Sequence, residues 1–248
     1  MNVRPNSGDE MKIKLLRMLG GLALVILAVS IPVLIISGTV NVYARSADLY
    51  RYGFDKYHTS GATGISSAQL DVVAQRMADF LDGKQPSPQV TVRVNGLDRQ
   101  LYSAKELVHL DDVRGIISVL KTFQTVAILS FLAAGALVFA MLGIRRILHG
   151  IQAGAIATVS VMGLLVVWAL VDFNSLFYLF HIVSFSNELW LLDPTRDYLI
   201  MMFTESFFYD AAIMVIATII AEAVILGLVT LVIGKTMLAR PPSEAGLY

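Results

Sequence analysis

The chain has 248 residues, with 19 Lys and Arg against 19 Asp and Glu, a hydrophobic fraction of 56% and 15% charged residues. With a mean hydropathy of +0.69, that composition excludes the soluble globular class and places the chain among integral membrane proteins. Zero net charge gives no electrostatic basis for nucleic acid as a partner, and the lack of cysteine excludes a thiolate nucleophile, a Cys-ligated zinc and disulfides.

Four apolar stretches are long enough to cross a hydrocarbon core of about 30 Å, which takes roughly 20 helical residues. They divide the chain into a tail (1–14), a first span (15–37), a polar segment (38–117) and a second span (118–143). A turn (144–150), a third span (151–171), a second polar segment (172–206), a fourth span (207–234) and a tail (235–248) follow. The first stretch has a basic flank (Lys12, Lys14, Arg17) but exceeds a signal peptide's apolar core and lacks a clear small-x-small site before "VNVYARS". It reads as a retained anchor with a bend at Pro32. Basic residues flank the spans on one face: Lys12, Lys14 and Arg17, then Arg145 and Arg146 in the turn, then Lys235 and Arg240. That face is expected to be cytoplasmic, with both termini, and the two polar segments lie outside.

Residues 38–117 read as a small α+β extracytoplasmic cap, so the expected fold is a four-span α-helical membrane protein carrying that cap. In "GISSAQLDVVAQRMADFLDG" an amphipathic helix opens on a capping-box pattern, Ser66 with Gln69, and stops at Gly83. "QVTVRVNGLDRQLYS" alternates around Asn95-Gly96 and predicts a β-hairpin. "SAKELVHLDDVRGII" opens a helix on a second capping box, Ser103 with Glu106, and meets only Gly115 before the second span. Glu106, His109 and Asp112 share one face of that helix at i, i+3 spacing. A carboxylate there can orient an imidazole; the same pattern also suits a solvated amphipathic helix.

The second polar segment, "VDFNSLFYLFHIVSFSNELWLLDPTRDYLI", sets His181 among Phe173, Phe177, Tyr178, Phe180 and Phe185, an aromatic pattern suited to the membrane interface. Trp190 continues it, and Asp193-Pro194 marks a turn that Asp193 is able to cap. Asn187 has a similar local capping reading. His58 and His149 read as surface residues of an outer and a cytoplasmic turn. Glu222, inside the fourth span in "IIAEAVIL", is expensive in lipid and is expected to serve structure, far along its helix from both outer histidines.

Together, "ELVHLDDV" before the second span, "FHIVSFSNELWLLDPTRDYLI" after the third and "FTESFF" before the fourth resemble the bacterial lipoprotein intramolecular transacylase family. The likeness covers span count, outer domain, both His motifs and their order; Thr204 stands where the family pattern has Pro before "ESFF". The resemblance implies an acyltransferase of the bacterial cytoplasmic membrane, with diacylated lipoproteins as substrate among the membrane lipids; because ester to amide is downhill, no cofactor or metal is expected. It implies transfer of the sn-2 acyl chain of the diacylglyceryl-cysteine to that cysteine's α-amino group at the outer leaflet, giving a lyso-form. It matches His109 and His181 to the family's two functional histidines.

The chemistry is self-consistent. An α-amine with a pKa near 8 is mostly protonated at neutral pH, and a neutral imidazole in reach activates it. A second imidazole, as imidazolium, protonates the leaving oxygen or stabilises the oxyanion. His181 is the expected base and His109 the acid or oxyanion donor, with Asn187 a second donor and Asp112, Asp193 and Trp190 as supports. A covalent acyl-His, acyl-Ser184 or acyl-Ser186 route is an alternative. Two other classes remain in view: a metal-dependent membrane lipid hydrolase, which chelator sensitivity would expose, and a non-catalytic sensor or assembly protein, in which both histidines pack only.

Overall fold

The structure, a computed structural model, describes residues 7–239; the basic residue Arg240 and the outer parts of both expected tails lie outside the described residues. Four helices among the described residues are long and apolar enough to cross a membrane: α1 (Ser7–Tyr43), α5 (Ala104–Leu142), α6 (Ile144–Val171) and α9 (Glu205–Ala239). Between them stand α2 (Ala47–Lys56), α3 (Thr59–Thr63), α4 (Ser67–Asp82), β1 (Thr91–Val94), β2 (Leu97–Gln100), α7 (Phe173–Ser184) and α8 (Tyr198–Met202). The chain forms two compact units, one of residues 7–36, 123–163 and 219–239, the other of residues 37–122 and 164–218.

In the first unit, α1 and α6 approach through glycine. A Cβ at Gly154 would stand 2.5 Å from the Ala28 carbonyl oxygen and 2.6 Å from Ile31 Cβ, and one at Gly150 would stand 2.9 Å from Leu24 and Leu27. Small residues one turn apart let two backbones close in lipid. The Ala28 carbonyl is also the one that Pro32, inside α1, deprives of its helical N–H partner. Arg145 and Arg146 are not in a loop: α6 already begins at Ile144, so most of the turn expected over 144–150 is helical. The link is Gly143 alone, whose φ of 80° is open to glycine without strain. Glu222 belongs to this unit, on an exposed face of α9.

The second unit holds the folded core. Tyr50 and Phe54 of α2, Leu70, Val73, Met77 and Phe80 of α4, Val92 of β1 and Phe203 and Phe207 around the start of α9 are buried together. Tyr50 and Phe54 each meet the Phe203 ring at 5.3 Å, edge on. The hairpin pairs Thr91 with Gln100 and Val94 with Leu97. Its two turn residues, Asn95 and Gly96, have φ of 52° and 80°, the left-handed pair that a type I′ turn requires. Gly83 closes α4 with φ 84°. The expected Ser66–Gln69 capping box does not form: Ser66 makes no side-chain cap, and its hydroxyl bonds the Gln69 side chain instead. With its amide turned as donor and acceptor, Gln69 pairs with both the N–H and the C=O of Arg93, an edge-strand demand that outcompetes the cap. Helices α2 and α3 were not individually expected; α2 is amphipathic, with Tyr50, Gly53 and Phe54 on its buried face.

Candidate active site

The first turns of α5 are fixed from both sides. Ser103 and Glu106 make the reciprocal capping box: the Ser103 amide donates to Glu106 Oε2 at 2.7 Å, and the Glu106 amide to Ser103 Oγ at 3.3 Å. The other Glu106 oxygen accepts the Leu199 amide at 2.7 Å, so this carboxylate, only 1% exposed, ties α5 to the start of α8. Lys105 adds a bond from its ammonium to the Leu191 carbonyl at 2.5 Å. His109 follows one turn later, buried, with no partner for its Nδ1. A 39-residue helix measures about 58 Å at 1.5 Å per residue, roughly twice a hydrocarbon core. Lys105, Glu106, Asp111, Asp112 and Arg114 crowd its opening, so His109 stands in the projecting part, ahead of the apolar run.

Helix α7 has only 12 residues, too few to cross a bilayer. Asp172 caps it by accepting the Ser175 amide at 3.0 Å. Tyr178, Leu179, Phe180, Ile182 and Val183 are exposed, while His181 is buried. His181 Nδ1 lies 2.7 Å from the Phe177 carbonyl oxygen one turn back. A carbonyl only accepts, so Nδ1 carries the proton, and in the neutral ring the lone pair is on Nε2.

The two imidazoles stack, with centroids 6.5 Å apart and planes inclined by 26°. Phe185 lies edge on to His109 at 4.9 Å and tilted to His181 at 5.6 Å, and Trp190 lies 4.8 Å from His181. Phe177 meets His181 from the other side at 4.3 Å. Burial in this aromatic setting holds both rings below the ordinary histidine value; His109, also repelled by His181, is pushed down to about 4. Neither imidazole is therefore a standing imidazolium at neutral pH, and the resting site is a pair of neutral rings rather than an acid beside a base.

The supporting residues divide. Asn187 Nδ2 donates to Asp112 Oδ2 at 2.9 Å, and its own oxygen accepts the Leu189 amide at 3.0 Å. That bond joins the turn after His109 to the loop after His181. Asp193 is engaged locally: it accepts the Thr195 amide and hydroxyl, its amide donates to Asp197, and its carboxylate pairs with Arg196. These contacts are the local turn capping that the Asp193-Pro194 pair predicts. Glu106 was expected on the histidine face, but its bridge to Leu199 is nonlocal and had no signal in the sequence. Thr204, at the family's Pro position, caps α9 by accepting the Phe207 amide at 3.2 Å, so the helix start survives the exchange. His58 and His149 are exposed. Among the described residues, no three His, Asp or Glu side chains converge as a metal site requires. A separate cavity of about 220 Å³, lined by residues that include Arg51, His58, Ser60 and Asp71, shares no residue with the histidine pair.

The family model described as "Lipoprotein intramolecular transacylase Lit" matches residues 25–208. A solved structure of the membrane-integral lipoprotein intramolecular transacylase Lit from Bacillus cereus is 20% identical, with TM-score 0.73, over 89% of this chain and 98% of that one. Two further Bacillus cereus Lit structures, one with a histidine-to-arginine and one with a histidine-to-alanine mutation, are each 19% identical with TM-score 0.74. They cover 94% and 92% of this chain and 100% of theirs. No match was found among curated proteins.

Proposed function

Because the chain belongs to the lipoprotein intramolecular transacylase family, we infer that His109 and His181 are the groups through which it carries out its acyl transfer. The chain is a membrane-integral acyltransferase acting on lipoproteins. Its substrate is a diacylated lipoprotein, and the acyl chain that moves is the sn-2 ester of the diacylglyceryl-cysteine. The basic flanks of the spans support a site at the outer leaflet, with the exposed apolar face of α7 among acyl chains at ester depth.

The observation that carries the assignment is the His181–Phe177 bond, because it leaves Nε2 as the free base of a buried, neutral ring. The amine, once deprotonated, attacks the ester carbonyl carbon. His181 Nε2 takes the N–H proton as the C–N bond forms, then returns it to the glycerol oxygen as the C–O bond breaks. One base thus serves as its own conjugate acid, and ester plus amine give amide plus alcohol with no net proton change. His109, neutral and stacked against His181, supplies an N–H to the developing oxyanion. Both reacting groups belong to one substrate, so their enforced proximity contributes much of the acceleration. Asn187 and Asp112 are positioning residues that fix the separation of the two histidine-bearing elements. Trp190 and Phe185 exclude water.

Mass spectrometry of lipoprotein N-terminal peptides tests this, with the chain expressed in a host that makes only diacylglyceryl lipoproteins. The wild type is expected to give an N-acylated lyso-form, and His181→Ala and His109→Ala, present and folded, are expected to lose it. Full conversion by either variant would remove that histidine from the mechanism.

A further inference from the structure

Five basic side chains gather on the turn that follows α4, a concentration unexplained by acyl transfer in a chain with no net charge. Arg45, just past the end of α1, and Lys121, within the apolar part of α5, both reach Asp82 Oδ1, at 2.7 and 3.4 Å. Lys84 holds the other oxygen at 2.9 Å. Arg76 donates to Gln85 at 2.6 Å and Arg114 to the Pro86 carbonyl at 3.4 Å. Facing them are the carboxylates of Asp82 and Asp79, the second acting on Lys84 from a distance. Asp82 is held strongly ionised, chiefly by Arg45, so the one central anion is already shared by three cations. Lys84 and Lys121 keep 67% and 38% of their side chains exposed.

The cluster also has a defined place in the membrane protein. Lys121 lies near the start of the apolar run of α5 and Arg45 follows α1 by two residues, so both cations are next in sequence to spanning helices. Cations that outnumber the carboxylates facing them, Lys84 and Lys121 among them partly exposed, attract anionic headgroups. An oxygen-rich monoanion able to accept from lysine and arginine together is the chemical complement.

We propose that Arg45, Lys84 and Lys121, with Arg76 and Arg114 behind them, form a binding site for the phosphate of an anionic phospholipid. The lipid's acyl chains lie along the exposed apolar surface of α5, where Val119, Phe123 and Val126 face outward. This site is distinct from the histidine pair and rests on membrane insertion rather than on the catalytic assignment.

Native mass spectrometry of the purified full chain, offered equal amounts of phosphatidylglycerol and phosphatidylcholine, is the test. Preferential retention of phosphatidylglycerol is expected, falling about fivefold in each of Lys84→Gln and Lys121→Gln. Asp82→Asn, which removes the competing carboxylate, is expected to raise it. Lys84 is exposed, so Lys84→Gln folds, and a matching thermal melt certifies it. Displacement by millimolar inorganic phosphate but not by chloride of equal ionic strength supports the phosphate chemistry and identifies free phosphate as a second source. Equal retention of the two lipids, or retention unchanged in both lysine variants, would overturn the proposal. So would capture of an oligoglutamate peptide without any preference between the lipids.

Discussion

Replacing Glu106 separates its two tasks. The carboxylate is 1% exposed and accepts two backbone amides at 2.7 Å, one from its own capping box and one from Leu199. Glu106→Ala leaves both N–H groups buried without an acceptor. Hydrogen bonds to a charged group contribute about 1.5–3 kcal/mol each, so the expected loss is about 3–6 kcal/mol. Glu106→Gln keeps one acceptor oxygen and turns an NH₂ toward the other amide, so about half of that loss is expected. At about 2–4 °C per kcal/mol for a chain of this size, Glu106→Ala should melt roughly 6–24 °C below wild type, with Glu106→Gln between them. The assay is thermal unfolding in detergent followed by intrinsic fluorescence, paired with single-turnover acyl transfer measured below each variant's melt. Because Glu106 anchors the turn that carries His109 to α8, Glu106→Ala is expected to lose kcat as well as stability. A Glu106→Ala protein that melts with wild type would refute the claim that the buried carboxylate holds these elements together.

Asn187→Asp sets two carboxylates where a 2.9 Å bond now joins Asn187 to Asp112, so kcat should fall further than in Asn187→Ala, and the swap with Asp112→Asn should recover most of it; absence of rescue would remove the pair from positioning. Gly154→Ala drives a methyl against the Ala28 carbonyl and Ile31 and should destabilise by about 1–3 kcal/mol, whereas Gly163→Ala, with nothing within 4 Å, should melt as wild type. His109 has a folded pKa of about 4, below the ordinary 6.5, so the unfolded chain binds the proton more readily; its contribution to stability is complete above 6.5 and is lost as pH falls through about 4. A chemical melt across that interval should be steeper in wild type than in His109→Phe, and identical slopes would contradict the buried neutral ring.

Features that depend on local chemistry were legible in the residues alone. Apolar length dictated four spanning helices, because a bilayer leaves no other partner for backbone amides. Asn95-Gly96 dictated the hairpin turn and Gly83 the end of α4, because left-handed backbone selects those residues. The Ser103–Glu106 box was legible because both partners lie within one turn, and the histidines were legible through motif resemblance and the aromatic spacing around His181. Tertiary structure decided the rest. Ser66 lost its expected cap because Arg93, remote in sequence, offers Gln69 a pair of backbone bonds. Asp112, which still acts electrostatically on His109, also accepts from Asn187, a residue remote in sequence, and Asp193 bonds within its own turn. Above all, the separation of the two imidazoles, the burial that keeps both neutral and the Leu199 amide on Glu106 join segments far apart along the chain. Such contacts carry no periodicity or spacing, because they arise only when separate helices pack and water leaves the space between them.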